Sequence, residues 1–174
     1  VPFGEFIPFK PLFGWIIQVL NIPLSDFSRG SLDQQPLDLA GQKIAINICY
    51  EDVFGEEIIL QLPQASILVN VSNDAWFGRS IGPRQHLQIS QMRALETGRY
   101  MLRATNTGVT AIINERGQIV QELEMFVTQG LHGTAQGFKG ATPYVQYGNT
   151  LVLTIIGLCL SLGGFIAFFR KEND

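Results

Sequence analysis

Charge is what this sequence has least of. Only 16% of its 174 residues are Asp, Glu, Lys or Arg, against 46% hydrophobic, and the mean hydropathy is +0.17. That balance excludes a disordered chain and argues against a surface solvated on every side. Basic excess is missing too: the net charge is −3 and the pI near 5.4, so there is no footprint for a phosphate backbone, and nucleic acid drops out as a partner. Cysteine and histidine are scarce. The chain holds Cys49, Cys159, His86 and His132, with no C-x-x-C pair and no ligand spacing around either histidine, so neither a metal nor a cofactor is assigned. Cys159 lies inside a long apolar run, which makes a disulfide with Cys49 unexpected. The chain opens Val1-Pro2-Phe3-Gly4-Glu5, without methionine and without the regions of a signal peptide, so its start reads as a cut through a larger protein. Its length suits one domain or part of one.

What is present begins with that apolar run. From Asn149 to Phe169 no residue is charged. At about 1.5 Å per residue, roughly 21 helical residues span about 30 Å, the thickness of a bilayer's hydrocarbon core. Tyr144 and Tyr147 precede the run as interfacial anchors, and Arg170 and Lys171 follow it. The positive-inside rule then puts 170–174 in the cytoplasm and the preceding domain outside. Near the other end, Phe3 to Leu20 is aromatic-rich, but Pro8 and Pro11 forbid a continuous spanning helix. That stretch suits either a segment dipping into the membrane interface, or walling an acyl-chain pocket, or ordinary core packing.

Between these ends the pattern is strand, helix, strand, helix, strands. Lys43–Ile48 and Ser66–Val71 alternate and are β-branched; Val53–Leu62 reads as a short helix stopped by Pro63. Pro83 opens a second helix running to about Thr97, with Leu87, Ala94 and Leu95 as its buried stripe. Strands follow at 100–104, 110–114 and 119–123, the last two joined by a turn over 115–118. The implied architecture is a layered α/β domain.

Cys49 falls where the first strand meets the first helix, the place at which an α/β fold displays a nucleophile and turns the next backbone N–H toward an oxyanion. Position alone is more often that of a small buried hydrophobe. Glu51, Asp52, Glu56 and Glu57 crowd the same turn, and negative neighbours disfavour the thiolate, so a compensating cation is required. Lys43 is a poor candidate, about 20 Å away along an extended strand.

Five blocks in order, Val1-Pro2-Phe3-Gly4-Glu5, Ile48-Cys49-Tyr50-Glu51, Asn70-Val71-Ser72-Asn73-Asp74-Ala75-Trp76-Phe77-Gly78, Gln91-Met92-Arg93-Ala94-Leu95-Glu96 and Arg103-Ala104-Thr105-Asn106-Thr107-Gly108, resemble the nitrilase superfamily. Within it they are most similar to the apolipoprotein N-acyltransferase family, over essentially the whole chain. The resemblance implies part of an α-β-β-α sandwich over residues 1–143, extracytoplasmic, then a transmembrane helix over 144–169 and a cytoplasmic tail. It also implies a multi-pass protein of the bacterial inner membrane whose catalytic domain faces the periplasm. Cys49 matches the family's nucleophile, which takes an acyl chain from a phospholipid, usually phosphatidylethanolamine, as a thioester. The acceptor is the α-amine of an S-diacylglyceryl cysteine on an apolipoprotein. The family's general-base glutamate and oxyanion lysine match nothing here and are expected upstream of Val1, so this stretch alone is expected to be inactive.

By the same resemblance Glu5 corresponds to a second glutamate able to orient the lysine, unless it is a surface carboxylate. Tyr50 supplies a backbone N–H, and Glu51 a buried, hydrogen-bonded scaffold rather than the base. Trp76 and Phe77 look like the family's aromatic lid, admitting lipid and excluding water; packing under a loop is the other reading. Arg93 and Glu96, at i and i+3, are expected to pair as a scaffold, and the two histidines to be structural or solvent-facing. A nitrilase-like amide hydrolase and a non-catalytic membrane-tethered domain remain as alternatives.

Overall fold

The computed structural model describes residues 30–31 and 34–172. Glu5 and the aromatic stretch 3–20 lie outside the described residues.

The six strands lie in sequence order across one sheet: β1 (Leu37–Leu39), β2 (Gln42–Ile48), β3 (Ile67–Ser72), β4 (Tyr100–Thr105), β5 (Ala111–Ile113) and β6 (Ile119–Glu122). β2, β3 and β4 are parallel, and the outer pairs are antiparallel. Parallel neighbours need crossovers, which here are the helical turns between β2 and β3 and the long helix between β3 and β4.

That long helix, Gly82–Thr97, follows the expected signals. Pro83 occupies its first turn, and Gly98 ends it at φ +63°, its N–H returned to the carbonyls of Ala94 and Leu95. The helix packs on one face of the sheet. Ala45, Leu68, Met101, Ala111 and Ile113 point up from the strands to meet Leu87 and Ala94, with Ile58, Leu62, Ala65 and Val109 closing the cluster. Burial of each large side chain contributes about 1.5–3 kcal/mol. On the other face Ile46, Ile48 and Val71 are exposed. One helix layer and one sheet of the expected sandwich are therefore present.

The helix expected over Val53–Leu62 is instead three short pieces: a 3-10 turn at Cys49–Val53, one α-turn at Gly55–Ile58 and a second 3-10 turn at Ile59–Gln61. Phe54, at φ −90° and ψ 75°, breaks the first from the second. Gly55 is required there, because a Cβ would overlap the Arg93 guanidinium and the Tyr144 hydroxyl. In order, the α-helices are α1 (Gly55–Ile58), α2 (Gly82–Thr97), α3 (Pro143–Tyr147) and α4 (Thr150–Glu172).

The C-terminal apolar run is helical, as α4, and its described apolar side chains from Leu151 to Phe168 are exposed. Among the described residues, however, no helix is long and apolar enough to cross a membrane. The expected run is thus met in helicity, over Thr150–Glu172, and in apolar exposure, while the membrane span itself is not established among the described residues. The helix is tied back to the domain at its start, where the Asn149 N–H donates to Glu56 Oε1 at 2.6 Å.

Candidate active site

The parallel strands bring a graded row of side chains to their C-terminal ends. Along the helix-facing side, the apolar register Ala45, Leu68, Met101 gives way one step later to Asn47, Asn70 and Arg103. All three polar residues are buried. Just beyond them β2 ends at Ile48, and Cys49 opens the 3-10 turn with φ +53°. A non-glycine residue in this left-handed region is strained, and such strain persists only where surrounding contacts hold it.

Such contacts surround Cys49. The Cys49 carbonyl accepts from Asn70 Nδ2 at 2.9 Å and faces His86 Nε2 at 3.2 Å. On the rim, Glu51 Oε2 accepts from the Ile48 N–H at 2.6 Å. Glu51 is half-buried rather than buried, and it holds the turn as a scaffold. The Cys49 side chain is itself half-buried, a free thiol, as is the exposed Cys159. Tyr50 is exposed and meets the ring of Phe54 edge-on, 6.4 Å between centroids.

Beneath the turn lies a charged cluster built from four different elements. His86, on α2, has Nδ1 3.1 Å from Asp74 Oδ1 and Nε2 3.0 Å from Asp52 Oδ1. Arg103 donates to Asp74 Oδ2 at 2.9 Å, to Asn70 Oδ1 at 2.8 Å and to Ser90 Oγ at 2.9 Å. Ser90 Oγ passes its own hydrogen to Asp52 Oδ2 at 2.6 Å, and Ser72 donates to Asp74 Oδ1 at the same distance. Asp52, Asp74, His86 and Arg103 are all 2% exposed or less. Burial alone would lower the His86 pKa, but the hydrogen bonds to Asp52 and Asp74 outweigh it and raise it to about 9. For Asp74 burial works upward, and the hydrogen bonds from His86 and Ser72, with the charge of Arg103, prevail and hold it at about 2. Two carboxylates thus face two cations.

This removes one of the four carboxylates from the charge beside the thiol and ties two others to backbone N–H groups. Asp52 is turned inward and neutralised, Glu51 is spent on the Ile48 N–H, and Glu56 holds the start of α4. Lys43, placed too far away, pairs with Asp38 at 3.0 Å.

Asp74 also begins the 3-10 turn Asp74–Phe77, so the element that closes the charged cluster presents the aromatic pair. Trp76 is 77% exposed, and Phe77 rests edge-on against His86, 6.4 Å between centroids, and over Gly82, where a Cβ would strike its ring. Asn73 and Asn106 join this loop to the one after β4, Asn106 Nδ2 donating to Asn73 Oδ1 at 2.7 Å. Between them, with Val71, Ser72, Ala104 and Thr105, lies an open depression of about 490 Å³ at the same end of the sheet as Cys49.

Arg93 and Glu96 pair at 2.8 Å, away from the thiol, near Tyr144 and Glu56; burial, with Glu56 adding to it against the pull of Arg93, raises Glu96 to about 7. His132 is exposed. Among the described residues no group of His, Cys, Asp or Glu is arranged to hold a metal ion.

The charged cluster escaped a reading along the chain because its members stand at 52, 74, 86 and 103 and only the strand register unites them. Two signals were available. Arg103 shares the parity of buried Met101, and His86 and Ser90 lie at i and i+4 on the helix stripe of Leu87 and Ala94.

The carbon-nitrogen hydrolase family matches residues 10–131. The chain is 80% identical over 173 residues to an apolipoprotein N-acyltransferase of Nitrosomonas europaea, covering 99% of this chain and 35% of that protein. It is 54% identical over 171 residues to one of Chromobacterium violaceum, covering 98% and 33%. The chain therefore spans about a third of the length of the curated relatives it matches. Among solved structures, the NitFhit protein of C. elegans superposes with a TM-score of 0.53 at 21% identity, over 72% of this chain and 30% of that one.

Proposed function

The chain belongs to the carbon-nitrogen hydrolase family, and from that premise we propose that it is one portion of a longer phospholipid-to-apolipoprotein N-acyltransferase, with Cys49 as the acyl carrier. The observation that carries the reading is the half-buried thiol of Cys49 held at φ +53° at a strand end, in a chain 80% identical to a protein of that name.

Two transfers follow from the chemistry of a thiol at such a turn. The Cys49 sulfur attacks an acyl ester carbonyl of a phospholipid, phosphatidylethanolamine being the expected donor, and gives up its proton to a base. The tetrahedral oxyanion collapses, the glycerol oxygen leaves as the lysophospholipid alcohol with that proton, and a thioester remains. The α-amine of a diacylated N-terminal cysteine then attacks the thioester, loses a proton, and departs as the amide while the thiol is restored. Splitting one hard step into two is what a covalent carrier achieves. The Tyr50 N–H is the oxyanion donor supplied by this portion. The base glutamate and the lysine belong to the rest of the longer chain, with Glu5 positioning the lysine. This portion is accordingly inactive by itself.

Trp76, exposed on a short turn, forms part of a lid that lets lipid in and keeps water from the thioester. The exposed apolar helix α4 is the part that lies in lipid, with Tyr144 and Tyr147 at the outer interface, the 170–174 tail on the cytoplasmic side and residues 1–143 facing the periplasm of the inner membrane. An amide hydrolase working in water has no use for either feature. The uncovered side of the sheet, with Ile46, Ile48 and Val71, receives the second half of the sandwich.

In the full-length protein, Cys49→Ala abolishes the hydroxylamine-sensitive lipid adduct formed on exposure to phospholipid. An adduct persisting in that variant overturns the assignment.

A further inference from the structure

His86 faces acceptors on both sides. Nδ1 meets a carboxylate oxygen of Asp74, and Nε2 meets a carboxylate oxygen of Asp52 and the carbonyl of Cys49. None of these three atoms carries a hydrogen when the carboxylates are ionised, so both ring nitrogens must donate and the ring is an imidazolium. The charges then balance: Asp52 and Asp74 against His86 and Arg103, with Arg103 Nη2 on Asp74 at 2.9 Å and Nη1 3.5 Å from Asp52. A neutral ring would leave one unpaired negative charge in a site that is almost fully buried.

The cluster touches the nucleophile at one atom, the Cys49 carbonyl oxygen, which Asn70 and His86 hold from the interior. A trans peptide is planar, with its N–H opposite its C=O. Anchoring the Cys49 oxygen inward therefore turns the Tyr50 N–H outward and maintains the φ of +53° at Cys49.

We propose that His86 is a positioning residue for acyl transfer: with Asn70 it clamps the Cys49 carbonyl and thereby aims the Tyr50 N–H at the oxyanion that forms when the Cys49 sulfur adds to an acyl carbonyl. This rests on the reading of Cys49 as the acyl carrier. The groups facing the ring are Asp52 after β2, Asp74 after β3, Arg103 on β4, and the rings of Tyr50 and Phe77. As the ring loses its proton, near pH 9, one of its two N–H groups goes, and the hold on the Cys49 carbonyl weakens to the extent that it is the Nε2 hydrogen.

The test uses the full-length protein in detergent micelles, with phosphatidylglycerol as the acyl donor because its head group does not titrate between pH 6 and 10. Single-turnover acylation of Cys49 is measured beside alkylation of the same thiol by iodoacetamide. In His86→Leu, which removes the donor to the Cys49 carbonyl, acylation at saturating donor falls roughly 100-fold, the scale of a lost oxyanion donor. The half-saturating donor concentration and the alkylation rate stay within about twofold, because His86 acts on neither lipid nor sulfur. In the wild type the ratio of acylation to alkylation falls more steeply through pH 9 than in His86→Leu, where only groups outside the cluster titrate. Acylation at the wild-type rate in the variant overturns the proposal, as does a parallel loss of acylation and alkylation, which marks a purely structural role. If that variant does not fold, Asn70→Asp, which removes the other donor to the same carbonyl, carries the same test: acylation at the wild-type rate is contradictory. A wild type that is alkylated normally yet takes no lipid refutes the acyl-carrier reading itself.

Discussion

The two faces of one sheet are built to opposite rules. On the face covered by α2, the strand ends carry Asn47, Asn70 and Arg103, fully buried and interlocked with Asp52, Asp74, His86 and Ser90. On the other face the same strand ends carry Ile48, Val71 and Ala104, exposed and apolar. Ordinary domains bury the apolar side and solvate the polar one. On the buried polar face Asn70 and His86 hold the carbonyl of the strained turn at Cys49, while the apolar face has no covering layer among the described residues.

The largest effect expected from breaking this contrast is on Arg103. Arg103→Leu leaves Asp74 and Asp52 facing one cation in a dry interior, and urea unfolding should show a loss of about 3–5 kcal/mol. Next comes pH. The His86 pKa of about 9 lies above its ordinary 6.5, so its contribution is complete below pH 6.5 and disappears as pH rises through 9. Asp74, near 2 and below its ordinary 3.8, contributes above pH 3.8 and fails as pH falls through 2. Stability should therefore be greatest between about pH 4 and 6.5 and decline above it by on the order of 2–3 kcal/mol, with the decline abolished in His86→Gln. On the opposite face Val71→Ser should cost less than about 1 kcal/mol in the 174-residue chain and more in the full-length protein, if the proposed second half of the sandwich covers it. Smallest is Lys43→Ala: its pair with Asp38 is exposed, and its removal should change the unfolding free energy by no more than about 0.5 kcal/mol.

Much of this fold was legible along the chain, because its central strands are β-branched and alternate in part, and Pro83 and Gly98 punctuate α2. Segment 53–62 was not, since Phe54 and Gly55 answer to the packing of Arg93 and Tyr144 rather than to local propensity. Nor was β1, whose three residues exist as a strand only by pairing with β2. At the site, Cys49 stood out through its place between strand and turn. The ions beneath it did not, because Asp52 and Asp74 look like ordinary turn carboxylates until strand register brings Arg103 under them. The lesson is physical: period and punctuation are local, whereas charge compensation is a property of the assembled sheet.

The central claim is that one sulfur carries an acyl group between two lipids. Intact-mass analysis of the full-length protein after exposure to phospholipid, with and without a diacylated lipopeptide, tests it most directly. One acyl mass should appear on the peptide containing Cys49 and vanish when the lipopeptide is added, as the lipopeptide gains the same mass. An acyl mass on any other residue, or one that the lipopeptide fails to discharge, contradicts it.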